Sequence, residues 1–94
     1  MAKSYIIYTN NSEKKIKSIL SCFLDMWIDN EDELIIFDDL SEDNTVPIIV
    51  SMIGTFFMDE KHFKFYINSK KEGKMKSIEK AKSIASNRCI ILGG

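Results

Sequence analysis

Apolar positions along this chain switch between two periods, and the switching spells out seven elements. Tyr5-Ile6-Ile7-Tyr8 is a short β-branched and aromatic run that ends in Thr9-Asn10-Asn11-Ser12, a turn and capping cluster, so it predicts a strand that hands over to a helix. From Ile16 the spacing becomes i, i+3, i+4, i+7, i+8, i+11 through Ile19, Leu20, Phe23, Leu24 and Trp27, one stripe of an amphipathic helix with Lys14, Lys15 and Lys17 on its wet side. After a polar stretch at 29–33, the unbroken run Leu34-Ile35-Ile36-Phe37 has the look of a central parallel strand covered on both faces.

A second helix is expected to start among the caps at 41–45, tolerate Pro47 in its first turn and turn Val46, Ile49, Val50, Ile53 and Phe57 inward. Residues 63–67 read as the third strand and 68–73 as a loop. Residues 74–86 read as a third helix with Met75, Ile78, Ala81, Ile84 and Ala85 buried, and 89–92 as the fourth strand. The order βαβαβαβ with short connections and right-handed crossovers predicts an α/β fold, a three-layer α/β/α sandwich on a mostly parallel four-stranded sheet.

Composition narrows this further. At 94 residues the chain is expected to form one small domain, 1–94, and with 45% apolar and 29% charged residues it is expected to fold. No apolar run approaches the roughly 18 residues needed to cross a bilayer, and the chain reads as cytoplasmic. Cys22 and Cys89 fall inside apolar patterns and are expected to act as small core hydrophobes, with neither a disulfide nor a metal pair. The net charge of −1 conceals segregation: residues 25–60 hold eleven carboxylates and no Lys or Arg, whereas the remainder is strongly basic. The acidic middle argues against an extended nucleic-acid surface despite the lysine-rich third helix.

Candidate chemistry gathers where the second strand ends. Asp38 and Asp39 follow Phe37 at the carboxyl edge of the sheet, where open α/β sheets bind their ligands. A carboxylate there can accept from a base N–H or from ribose hydroxyls, or it can cap the loop that follows. Tyr8, Thr9 and Asn10 leave the first strand at the same edge. Gly73-Lys74 opens a helix, where backbone N–H groups and an ammonium could meet a diphosphate. His62, the one histidine, lies in a polar turn with no ligand partner at metal spacing. No P-loop, G-x-G-x-x-G, G-x-S-x-G or H-E-x-x-H motif occurs, which excludes the commonest hydrolase, dehydrogenase, esterase and metalloprotease patterns.

These segments resemble the N-terminal nucleotide-binding half of family 2 glycosyltransferases with the Rossmann-like GT-A fold. The stretch 34–45 is similar to that family's apolar run followed by Asp-Asp-x-Ser-x-Asp-Asn-Thr, residues 4–11 look like its opening strand and turn, and 68–85 look like its Asn-x-Gly loop and following helix. The resemblance implies a sugar nucleotide, usually a UDP-sugar, with Asp39 as the base contact, Asp38 beside it, Tyr8 or Asn10 near the uracil, and Lys74 in the loop position. It also implies an Asp-x-Asp metal motif at the end of the fourth strand, where this chain has Leu92-Gly93-Gly94. Without it a divalent metal and catalysis of transfer are not expected of this chain alone.

The expectation is therefore a truncated, non-catalytic binding or regulatory module that acts through a protein partner or as a homodimer, joined at an exposed fourth-strand edge. The Lys-, Ile- and Asn-rich composition would suit a phage or mobile-element regulator. The alternative is a UDP-sugar-binding half of a glycosyltransferase, split or cut from a longer enzyme.

Overall fold

The computed structural model describes residues 2–26, 31–56 and 62–92. Among them run β1 (Lys3–Thr9), α1 (Glu13–Met26), β2 (Glu33–Asp38), α2 (Thr45–Phe56), β3 (Phe63–Ile67), α3 (Lys74–Ile84) and β4 (Arg88–Leu92). The four strands form a wholly parallel sheet in the order β3-β2-β1-β4. The fold is the expected three-layer α/β/α sandwich.

β2 is buried along its whole length, as an uninterrupted apolar run inside a parallel sheet should be. Its side chains alternate between two cores. Leu34 and Ile36 join Tyr5 and Ile7 of β1 under α1 and α2, where Ile16, Leu20, Phe23, Ile49 and Ile53 close over them. Ile35 and Phe37 join Ile6 on the opposite face, where Ala81 of α3 is buried against them and Ile78 and Ile84 pack alongside. Phe23 meets the Tyr5 ring edge-on at 5.0 Å.

Three expectations about helix faces need correction. Val50 is 56% exposed, because the buried stripe of α2 runs through Thr45, Ile49 and Ile53 with Ile48 and Met52 at its margin, and Val50 sits about 100° away from Ile49. Met75 is 79% exposed, because α3 buries Ser77 and Ala81, and a residue two positions from Ser77 lies on the far side of the helix. Cys22 is exposed for the same reason: it falls off the stripe through Ile16, Leu20 and Phe23. Trp27, Phe57 and the glycines at 93 and 94 lie outside the described residues, as does the side chain of Leu24.

The amino edge of the sheet is closed by a second buried carboxylate. Glu33 Oε1 accepts from the Ser4 hydroxyl and from the Ser86 N–H, both at 2.6 Å, and Oε2 lies 3.1 Å from Lys64 Nζ. Lys64 in turn donates to the Ile84 carbonyl, and the Asn87 N–H donates to Ser4 Oγ. α3 ends at Ile84 and not at Ser86: Ala85 N–H turns back to the Lys82 carbonyl, and the amides of Ser86 and Asn87 are committed to Glu33 and Ser4. Burial alone would raise the Glu33 carboxyl, and the bonds from Ser4, Ser86 and Lys64 outweigh it and lower it. His62 also serves here, with its carbonyl accepting from Leu34 N–H and its Nδ1 3.2 Å from the Asp32 carbonyl.

Glu33→Ala leaves the buried Ser4 hydroxyl and the Ser86 amide without their acceptor and removes the counter-charge of the half-buried Lys64 ammonium, so it should cost about 3 kcal/mol in urea unfolding. A loss below about 0.5 kcal/mol, typical of a surface change, would contradict this role.

Candidate functional site at the carboxyl edge of the sheet

The strand order reverses between β1 and β4, so the topological switch point, where open α/β sheets form their ligand crevice, lies beside the carboxyl end of β1. The parallel register brings Thr9 level with Asp38, and Asp38 level with Ile67. Asp39 and Asn68 therefore leave their strands side by side. The ladder continues one step beyond the strands, since Asp39 N–H donates to the Thr9 carbonyl and Asn68 N–H to the Asp38 carbonyl, each at 2.8 Å.

The two aspartates divide their work. Asp38 has no exposed surface, and its carboxylate accepts from the Thr9 hydroxyl at 2.7 Å, the Ser41 hydroxyl at 2.6 Å and the Ser41 N–H at 2.9 Å. It braces the turn that follows β2. Inside that turn Leu40 holds φ 52°, a left-handed conformation that costs a non-glycine residue about 1–2 kcal/mol.

Asp39, 3% exposed, draws four donors. Oδ1 accepts from Asn68 Nδ2 at 3.0 Å and from the Glu72 N–H at 2.8 Å; Oδ2 accepts from the Tyr8 hydroxyl and the Gly73 N–H, both at 3.0 Å. Burial alone would raise this carboxyl, but the bonds from Asn68, Glu72, Gly73 and Tyr8 prevail and hold it at about 2. The Tyr8 phenol responds in the opposite sense, pushed up to about 12 by its burial, its bond to Asp39 and the negative charge of both aspartates.

Two further loops complete the edge. Asn10 Nδ2 donates to the Asp39 carbonyl at 2.6 Å. The turn before α1 is stitched to the turn before α2, with Asn11 N–H on Ser41 Oγ, Glu42 N–H on Asn11 Oδ1 and Ser12 N–H on Thr45 Oγ1. Gly73 adopts φ 89°, which glycine takes without penalty, and its carbonyl accepts from the Ser77 hydroxyl at 2.9 Å. Lys74 follows as the exposed first residue of α3.

Of the five residues singled out from sequence, Tyr8, Asn10, Asp38 and Asp39 thus share one hydrogen-bonded cluster, and Lys74 stands next to a glycine bonded to Asp39. Asn68 and Ser77, not among those five, also belong to the cluster, and their side chains bond each other at 2.9 Å. Their signals were present: Asn68 directly follows a strand at the level of Asp39, and Ser77 is a polar residue on the buried stripe of α3.

The profile of glycosyl transferase family 2 matches residues 4–92. The chain belongs to that family. Within family 2, the Asp38-Asp39 pair and the Gly73 loop occupy the carboxyl edge of a sheet also found in solved structures. The crystal structure of S. aureus TarS 1-349 in complex with UDP superposes with a TM-score of 0.79 at 24% identity, covering 97% of this chain and 26% of that one. The complex of the same protein with UDP-GlcNAc gives a TM-score of 0.74 at the same identity and coverage. This likeness shows the fold, and the chain spans about a quarter of the TarS 1-349 length. A comparison with curated protein sequences finds no match. Among the described residues no three His, Cys, Asp or Glu side chains gather as metal ligands, and no helix is long and apolar enough to cross a membrane.

The four-donor clamp predicts an acid signature. A carboxyl held at about 2 when folded and near 3.9 when unfolded contributes its full stabilisation above the unfolded value and loses it as pH falls from about 4 toward 2. Asp39→Asn, which cannot take up that proton, should be less stable than wild type at neutral pH yet lose less stability on acidification. Urea midpoints across that range check this; parallel curves for the two proteins would contradict it.

Proposed function

We propose that this chain is the nucleotide-sugar-binding half of a family 2 glycosyltransferase, with a UDP-sugar as its ligand. The observation that carries the reading is Asp39: a buried carboxylate near the switch point of a parallel sheet, in a chain whose family profile spans it from 4 to 92. In this reading Asp39 meets the N–H of the base. Asn10 and Tyr8 form the rim of the base pocket, Asp38 keeps the turn in place, and Lys74 with the first turn of α3 stands toward the diphosphate. The acceptor and the transfer step belong to another segment or another chain.

The similar structures support the nucleotide class, because TarS 1-349 crystallised in complex with UDP and with UDP-GlcNAc. The expected protein partner and the fourth-strand homodimer draw no comparable support, so the nucleotide-binding alternative becomes the primary reading. A metal on the diphosphate would lend electrostatic stabilisation to the leaving group in such an enzyme. The described residues present no ligand set for one.

Isothermal titration calorimetry with UDP and UDP-GlcNAc, against CDP and ADP, tests the proposal. We expect micromolar to millimolar binding of the uridine nucleotides, worth roughly 4–8 kcal/mol, and at least a tenfold loss in Asp39→Ala once its fold is verified by circular dichroism. Equal binding of all nucleotides, or full affinity in Asp39→Ala, would contradict it.

A further inference from the structure

Resting on that reading, we propose that Tyr8 is a gating residue that competes with the nucleobase for Asp39 and so sets the affinity of the site. A carboxylate offers about four acceptor positions, two on each oxygen. In Asp39 all four are taken, by Asn68 Nδ2 and Glu72 N–H on Oδ1 and by Tyr8 Oη and Gly73 N–H on Oδ2. A base N–H can bond Asp39 only if one of these donors withdraws.

The donors differ in how firmly they are held. Asn68 is 5% exposed, and its amide also donates to Ser77 Oγ. The Glu72 and Gly73 amides belong to backbone entering α3, and the Gly73 carbonyl is fixed by both the N–H and the hydroxyl of Ser77. Withdrawing either amide means moving the backbone that leads into α3. Tyr8 is a half-buried side chain whose hydroxyl, among the described residues, bonds Oδ2 of Asp39 at the end of β1 beside the switch point. A side-chain rotation removes it and leaves the backbone intact. Burial, the bond to Asp39 and the charge of both aspartates push the phenol up to about 12, so in the ligand-free protein the hydroxyl is a donor to Asp39 throughout the neutral range.

Tyr8→Phe removes the competing donor while keeping the ring. The proposal predicts that this variant binds UDP about tenfold more tightly than wild type. It further predicts that the gain disappears with N3-methyl-UDP, which lacks the base N–H and has no use for the vacated position. Calorimetry with these two probes on both proteins reads the effect, and thermal unfolding confirms that Tyr8→Phe is folded. Unchanged or weaker UDP binding in Tyr8→Phe overturns the gate while leaving the binding reading standing. An equal gain for both probes also overturns it, since the effect would not pass through the base N–H. Absence of UDP binding in wild type and variant alike overturns the functional reading itself, and the gate with it.

Discussion

One carboxylate gathers the carboxyl edge of the sheet. Asp39 takes donors from β1, from the residue after β3 and from the loop that opens α3, so elements 30 or so residues apart in sequence meet on two oxygen atoms. Burying a charge is costly unless hydrogen bonds replace its water, and four donors at 2.8–3.0 Å do so. The rest of the edge is arranged around that requirement. Gly73 takes a left-handed conformation as its amide turns to Oδ2, Ser77 holds the Gly73 carbonyl, and Asp38 fastens the turn in which Leu40 is strained.

The two edges use buried carboxylates to different ends. Glu33 at the amino edge has a lysine partner, and its bonds lock the ends of β1, α3 and the adjoining loop. Asp39 has four neutral donors and keeps its charge uncompensated by them. An uncompensated carboxylate favours a neutral N–H donor and repels phosphate. A nucleotide at this edge would therefore place its base toward Asp39 and its diphosphate away from it, toward Lys74 and the start of α3. The charge pattern orients the ligand proposed here as well as favouring its class.

The elements were legible because each obeys one period. The run at 34–37 has no polar break, which only a strand covered on both faces tolerates, and β2 is buried throughout. The stripe of α1 is equally clear. Where a helix is apolar nearly all round, as in α2, periodicity cannot choose between neighbouring faces, and Val50 lies on the exposed one. In α3 the opposite holds: lysines crowd the helix and its buried stripe contains Ser77, so the apolar Met75 lies on the exposed face. At the site, the paired aspartates announced themselves, but their division of labour did not. Whether a carboxylate faces its own turn or the neighbouring strand depends on the φ of Leu40 and on the level at which β3 ends, neither of which is written in the residue types.

Asp39 and the donors around it form the nucleotide site proposed here. The most direct measurement is a ¹H–¹⁵N correlation spectrum of the whole chain titrated with UDP. The account predicts that the largest shifts fall on the amides of Asn10, Asp39, Glu72 and Gly73, with the indirect response of Ser41 smaller. Shifts confined to β3 or to the exposed face of α2, or a spectrum that UDP leaves unchanged at millimolar concentration, would contradict it.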